Sequence, residues 1–261
     1  MNIFSKLKKV YKRDEGRVIW RILFNNHNLM LIEERDPQKK EVFFTVADMS
    51  TCKNVTENLQ QGELFWTGVE CFIEEYILFH GFAKPDMPFH KGMRLYSVRE
   101  KQILWEHDDL VFSFLEGNTV WAYKPGFEKK EYIRVDLATG AAAPSPEPVP
   151  ADIAMRKAEF REVTTRGITA PEPERNEPGG GDMVYPETAE NDLYTFRSGY
   201  RGETDGMYNQ YLQMIRKSDG KLLEEMLINE DTPLIIPDSW FLRNNALYVI
   251  KDKRILSVYT M

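Results

Sequence analysis

Cysteine is scarce in this chain. The 261 residues include two, Cys52 and Cys71, and their spacing matches neither a disulfide framework nor a Cys-x-x-Cys redox pair. That excludes a disulfide-stapled secreted scaffold and predicts two reduced thiols in a reducing compartment. Histidine is nearly as rare: His27, His80, His90 and His107 are the four. No apolar run reaches the roughly 18 residues that span a bilayer. The basic start, residues 1–13, is followed by no apolar segment, so no secretory signal is read there and the expected location is cytoplasmic. No Gly-x-Ser-x-Gly nucleophile elbow occurs. The glycine triplet 179–181 lacks the strand, helix start and Lys-Ser/Thr pair of a phosphate loop. Positive charge is also short: 34 Lys and Arg against 41 Asp and Glu leave a formal charge of −7. A nucleic-acid partner would need a concentrated basic surface, and none is expected.

What is present is strand. Hydrophobic residues make up 42% of the chain, an ordinary globular share, and the length suffices for a large core. One hairpin pattern recurs. Residues 20–32 read Trp20-Arg-Ile-Leu-Phe-Asn25-Asn26-His-Asn-Leu-Met-Leu-Ile32, and residues 240–250 read Trp240-Phe-Leu-Arg-Asn244-Asn245-Ala-Leu-Tyr-Val-Ile250. A looser copy spans residues 114–123, around Gly117-Asn118. A second hairpin type has charged turns, at Asp48, Glu100-Lys101, Asp136-Leu-Ala-Thr139-Gly140 and Asp219-Gly220. Asn-rich, Asp-Gly and Thr-Gly turns supply the positive φ that tight hairpins need.

Together the two types make a four-strand antiparallel unit. Units are predicted at residues 18–57, 65–109, 110–148 and 185–231, and a fifth, three-stranded one begins near residue 237. A unit of this kind cannot bury its faces alone, so neighbours must stack. The prediction is a single all-β, propeller-like domain over residues 1–261, with about five blades, its ring closed by pairing of N-terminal and C-terminal strands. A Pro/Gly-rich insertion at 144–186 separates the third and fourth units, with a short helix expected at 151–163. Residues 3–13 have two readings. They are either the missing fifth-unit strand or an amphipathic helix, Ile3, Phe4, Leu7, Val10 and Tyr11 on one face and lysines on the other, able to touch a membrane surface or partner.

The charged-turn hairpins resemble the repeat of quinoprotein-like (PQQ-type) β-propellers, in which a strand enters Asp-x-x-Thr-Gly and a Trp-bearing strand follows. Asp136-Leu-Ala-Thr139-Gly140 and Ile103-Leu-Trp105-Glu carry the likeness. The whole also looks like an uncharacterised bacterial family of unknown function. The resemblance implies the fold. It does not extend to quinone chemistry: this length allows about five blades where the dehydrogenases use about eight, and no vicinal Cys-Cys pair or calcium cluster is present. No cofactor is expected.

Candidate ligand-binding residues come from two loops. His80-Gly-Phe-Ala-Lys84-Pro-Asp86-Met-Pro-Phe-His90-Lys91-Gly92 offers His80, Asp86, His90 and Lys91, read as an elaborated loop of the second unit. Imidazole and carboxylate suit a divalent metal, but no established metal spacing is matched, so no metal site is assigned. Arg197 and Tyr200 sit in an Arg/Tyr-rich stretch that could stack on a sugar or base. Glu70, Glu74 and Glu75 invite a paired-carboxylate reading, but Glu74-Glu75 are read as the solvated turn between Cys71-Phe72 and Tyr76. The five tryptophans are expected to pack between units. The functional reading is a non-catalytic binding or scaffold protein for an unknown protein or small ligand. Its alternative is a hydrolase or lyase acting on a sugar or phosphate ligand at a central channel.

Overall fold

The computed structural model describes residues 7–84, 87–127, 129–165, 167–173, 183–202, 206–234 and 236–261. Among the described residues the chain is all-β apart from one helix, and its antiparallel sheets have four or five strands each. It divides into two compact units, residues 19–166 and residues 1–18 with 167–261. The first strand, β1 (Lys8–Asp14), belongs to the latter.

The unit of residues 19–166 holds three sheets, each a meander in chain order. They are β2 (Val18–Phe24), β3 (Leu29–Asp36), β4 (Glu41–Asp48) and β5 (Lys53–Leu59); then β6 (Thr67–Ile73), β7 (Tyr76–Phe82), β8 (His90–Ser97) and β9 (Gln102–His107); then β10 (Val111–Glu116), β11 (Thr119–Pro125), β12 (Lys130–Asp136) and β13 (Ala142–Pro144). The near-continuous apolar run of β7 follows from burial on both faces. Ile77 and Phe79 pack with Leu31, Phe44 and Val46 of the first sheet, while Leu78 packs with Val120, Ala122 and Val135 of the third. Phe44 meets Phe79 edge-on at 4.8 Å between ring centroids. The proline-flanked Ala-rich stretch yields only the three-residue, exposed β13. Helix α1 (Pro150–Thr165) follows where the insertion was expected to be helical.

The other unit holds two sheets. The strands β14 (Ile168–Thr169) and β15 (Glu172–Pro173) come from the insertion; β16 (Val184–Glu190), β17 (Tyr194–Gly202), β18 (Tyr208–Arg216) and β19 (Leu222–Thr232) follow, then β20 (Trp240–Arg243), β21 (Ala246–Lys251) and β22 (Ile255–Thr260). One sheet runs β15-β16-β17-β18-β19 and the other β1-β22-β21-β20-β14. β1 pairs with β22, Lys8 opposite Thr260 and Asp14 opposite Ile255. The strand reading of the N-terminal segment therefore holds from Lys8, and the helix reading does not; residues 3–6 lie outside the described ones. The insertion adds an edge strand to each of these sheets. Phe196, Leu212, Met214, Trp240, Leu247 and Val249 form the core. No helix among the described residues is long and apolar enough to cross a membrane.

The recurring Asn turn has a physical role. Asn25 is buried, and its Oδ1 accepts hydrogen bonds from the backbone N–H groups of His27 and Leu29, both at 3.0 Å. Its amide donates to the Glu74 carbonyl of the next sheet. One side chain thus closes its own hairpin and ties it to a neighbour. Asn244 and Asn245 take φ of +48° and +60°, the left-handed pair of a tight hairpin turn. Trp20 corrects the expectation for tryptophan: it is 66% exposed, with the Arg35 guanidinium 5.2 Å from its ring centroid.

Glu187 on β16 gives a pH-dependent prediction. Burial pushes its carboxyl above the ordinary value of 4.5, the Asp238 charge adds to that, and a hydrogen bond from Ser198 (3.2 Å) only partly offsets it. A carboxyl raised in the folded state favours folding below its unfolded pKa and loses that contribution as pH rises through its folded pKa. Glu187→Gln should therefore be more stable than wild type at pH 7 in urea unfolding. The difference should close below about pH 4.5.

Candidate functional site

Two irregularities in the β6–β9 sheet create the site. Val69 pairs with Phe79 and Cys71 with Leu78, so Glu70 is an extra, bulged residue on β6. Phe79 pairs with Arg94 and Gly81 with Lys91, so His80 faces two residues of β8, Gly92 and Met93. Gly92 supplies the second bulge with φ of +79°. Bulges re-aim side chains out of the strict alternation of a strand. Here they gather Glu70, His80 and His90.

The Glu70 carboxylate is the centre. Its Oε1 lies 2.7 Å from His90 Nδ1, a hydrogen bond, and 3.2 Å from His80 Nδ1. The two imidazoles stack, with centroids 3.5 Å apart and planes 11° from parallel. The His80 side chain is 4% exposed, Glu70 12% and His90 37%. Gly68, the cross-strand partner of His80, makes room for its ring: a Cβ there would stand 2.7 Å from His80 Nε2. The 3.2 Å approach to Glu70 lacks hydrogen-bond geometry, so neither ring nitrogen of His80 has a hydrogen-bond partner. Leaving a buried polar group this way costs about 1–3 kcal/mol, and such exceptions call for an explanation.

The electrostatics fix the charge states. Burial alone would raise the Glu70 carboxyl, but the two imidazoles beside it outweigh burial and hold it at about 2. Burial pushes His80 below its ordinary value, helped by His90 and Arg21 and opposed by Glu70. At neutral pH the site therefore holds a carboxylate and a neutral buried imidazole. Nδ1 of His90 donates to that carboxylate, which orients its ring.

Beside His80 lies a cavity of about 300 Å³ whose lining includes Trp66, Phe82, Lys91, Arg94 and Asp108. Phe82 meets His80, His90 and Trp66 edge-on at 5.2, 5.4 and 5.8 Å. Aromatic walls with a few charges are the usual make-up of a small-ligand pocket. A second cavity, about 340 Å³, lies at the Asn25 and Asn118 turns. There Arg156 of α1 is held by Glu116 at 2.7 Å and Glu159 at 3.0 Å.

Of the residues expected from sequence, His80 and His90 meet, but at strand ends rather than within a loop. Lys91 is exposed on β8 and lines the cavity. Asp86 lies outside the described residues. Arg197 and Tyr200 are on β17, in the other unit. Tyr200 is 1% exposed; its hydroxyl donates to the Ile236 carbonyl and accepts from the Ile236 N–H, both at 2.8 Å, and burial pushes it up to about 12. It closes a loop and offers no hydroxyl to a ligand. In the same stretch, Arg201 is engaged bidentately by Glu225 at 3.0 and 2.7 Å and lies over the Tyr211 ring. Glu70 is the residue that sequence reasoning missed. It does not pair with Glu74, which turns the β6–β7 hairpin at φ of +47°. The available signal was a lone carboxylate inside the apolar run Gly68-Val-Glu70-Cys-Phe.

A family model described as a domain of unknown function (DUF4905) matches residues 24–105, a stretch that contains Glu70, His80 and His90. No curated protein matches the chain. Among solved structures, the chain is similar to the AtxE2 isopeptidase at 11% identity and a TM-score of 0.41, over 94% of this chain and 48% of that one. It thus spans about half of the isopeptidase. It is also similar to the uncharacterised protein lmo1340 of Listeria monocytogenes, at 8% identity and a TM-score of 0.37, over 96% and 97% of the two chains. A third likeness is to TolB of Acinetobacter baumannii, at 10% identity and a TM-score of 0.28, over 95% and 65%.

Proposed function

We propose that this chain is a non-catalytic binding protein of the β-propeller type, with about five blades, that takes a small polar ligand at the cavity beside His80. The recurring four-strand unit and the pairing of β1 with β22 support the propeller reading. The cavity carries the binding reading: it sets charges of both signs, Lys91 and Arg94 with Glu63 and Asp108, around the rings of Trp66 and Phe82. That lining fits a sugar or an amino acid, which has one apolar face and several polar groups. The expected setting is the cytoplasm, with Cys52 and Cys71 as free thiols.

The test is amide and indole chemical-shift mapping with glucose, glucose 6-phosphate, glycine and phenylalanine as probes, each up to about 10 mM, beyond the millimolar range of weak specific binding. At least one probe should shift the Trp66 indole and the Gly81 and Gly92 amides saturably. No saturable shift at these three positions with any of the four removes the reading.

One observation favours a second reading, a hydrolase or lyase. The His90 ring is oriented by the Glu70 carboxylate at 2.7 Å, the arrangement of a general base. Hydrolysis of p-nitrophenyl phosphate or p-nitrophenyl glucoside that disappears in His90→Ala would replace the binding reading with this one.

A further inference from the structure

We infer that Glu70, His80 and His90 form a site for a divalent first-row transition metal, of the two-imidazole, one-carboxylate class. The inference is independent of the small-ligand reading. One ligand atom from each residue lies within 4.8 Å of the others. Imidazole nitrogen with carboxylate oxygen is a donor set that suits zinc, iron(II) and manganese(II). Glu70 offers a carboxylate oxygen and His80 a buried ring nitrogen.

The independent observation is the state of His80. Its side chain is 96% buried, being 4% exposed, and neither nitrogen has a hydrogen bond. Packing alone would place an apolar side chain there. A metal on Nδ1 gives this buried nitrogen a directed bond in place of its misaligned 3.2 Å approach to Glu70.

The arrangement seen is the proton-bridged form of the site. The 2.7 Å between His90 Nδ1 and Glu70 Oε1 is a hydrogen-bond length; two donors on one zinc ion, each about 2.0–2.1 Å from it, stand roughly 3.3 Å apart. The stacked rings also run their in-plane lone pairs side by side rather than toward one point. Loading therefore requires one ring to turn. His80 is held by burial and by Gly68. His90, 37% exposed at the first position of β8, is the ring that can turn. As it turns, it leaves the hydrogen bond to Glu70 and offers a ring nitrogen to the ion. Glu70, freed from that hydrogen bond, becomes the third donor. Three protein donors leave at least one position for water or for a ligand.

Among the other histidines, His107 is committed to the Gly140 carbonyl at 2.9 Å, and His27 is not in the cluster. The experiment is calorimetric titration of the metal-stripped full chain with Zn²⁺, with Co²⁺ absorption as the spectroscopic counterpart. Wild type should bind one ion per chain and show Co²⁺ ligand-field bands. His90→Ala, at a partly exposed position that does not threaten folding, should weaken binding by about 100-fold or more. Glu70→Gln, which keeps the shape, should weaken it by at least about 10-fold. Absence of saturable binding by wild type overturns the site, and so does wild-type affinity in both variants. Neither result touches the chemical-shift test of the cavity.

Discussion

Replacing Glu33 by alanine is expected to destabilise the protein by about 3–5 kcal/mol, the range found when one partner of a buried ionic group is removed. Glu33 lies on β3, an inner strand of its sheet, and its side chain is 2% exposed. Arg21 donates to one carboxylate oxygen from Nε and a terminal nitrogen, at 3.2 and 2.8 Å. Arg35 donates to the other oxygen in the same manner, at 3.0 and 2.7 Å. Neither guanidinium stops there: Arg21 reaches the Val69 carbonyl, and Arg35 the carbonyls of Phe65 and Thr67. The carboxylate therefore orients two cations that fasten the first sheet to the backbone of β6. Without it, two guanidiniums face each other with four of their seven hydrogen bonds gone. Glu33→Gln retains the shape and one acceptor oxygen, and should fall between wild type and alanine. Urea unfolding followed by tryptophan fluorescence measures all three. A loss under about 1 kcal/mol for the alanine variant would place the triad with ordinary surface ion pairs and defeat the argument.

How much of this was legible beforehand depended on the range of the interaction. The Asn25 and Asn244 turns, the Asp136–Gly140 turn and the strand order within each four-strand unit follow from short-range rules, and short segments carry those rules whole. The meeting of Glu70 with His80 and His90 does not. It depends on two bulges, each a shift of one residue between paired strands, and hydrophobic alternation looks the same on either side of such a shift. His80 and His90 consequently read as loop residues, and Glu70 read as one of three glutamates near a turn. Glu33 was invisible for a related reason. A charge on a strand normally marks the solvent face, and only the approach of Arg21 and Arg35 makes its burial tolerable. Trp20 erred in the opposite direction. Its likeness to Trp240 in sequence does not extend to burial, 66% exposed against 1%, because Trp20 is at an outer strand of its sheet with an arginine over its face.

Trp105→Ala should cost about 3–5 kcal/mol as a large-to-small change in a packed core, and its partner is the turn that the sequence singled out. Trp105 on β9 is 8% exposed and belongs to the core shared by the second and third sheets. Its indole N–H donates to the Leu137 carbonyl at 2.8 Å. Beyond the ring lies Gly140, at φ of +71°, where a Cβ would come within 2.5 Å of Trp105 Cγ. The Asp136 carboxylate holds the turn in shape by accepting from the Thr139 N–H at 2.8 Å and the Thr139 hydroxyl at 2.7 Å. Asp136, Thr139, Gly140 and Trp105 are thus one device: a turn whose glycine leaves space for the indole of the neighbouring sheet. Two further variants separate its parts. Trp105→Phe keeps an aromatic ring and loses the hydrogen bond, and should cost about 1 kcal/mol for that bond plus the packing difference. Gly140→Ala meets both the positive φ, roughly 1–2 kcal/mol, and the indole. In the Trp105→Ala background the contacts with Cγ and Cδ1 are gone and only the one with the Cβ of residue 105, at 2.6 Å, remains, so Gly140→Ala should cost less than it does in wild type, and the double variant should be more stable than the sum of the single losses predicts. Contacting residues couple by about 0.5–3 kcal/mol in such cycles. Strict additivity in urea unfolding would mean that indole and glycine do not share this space, and the docking account would fail with it.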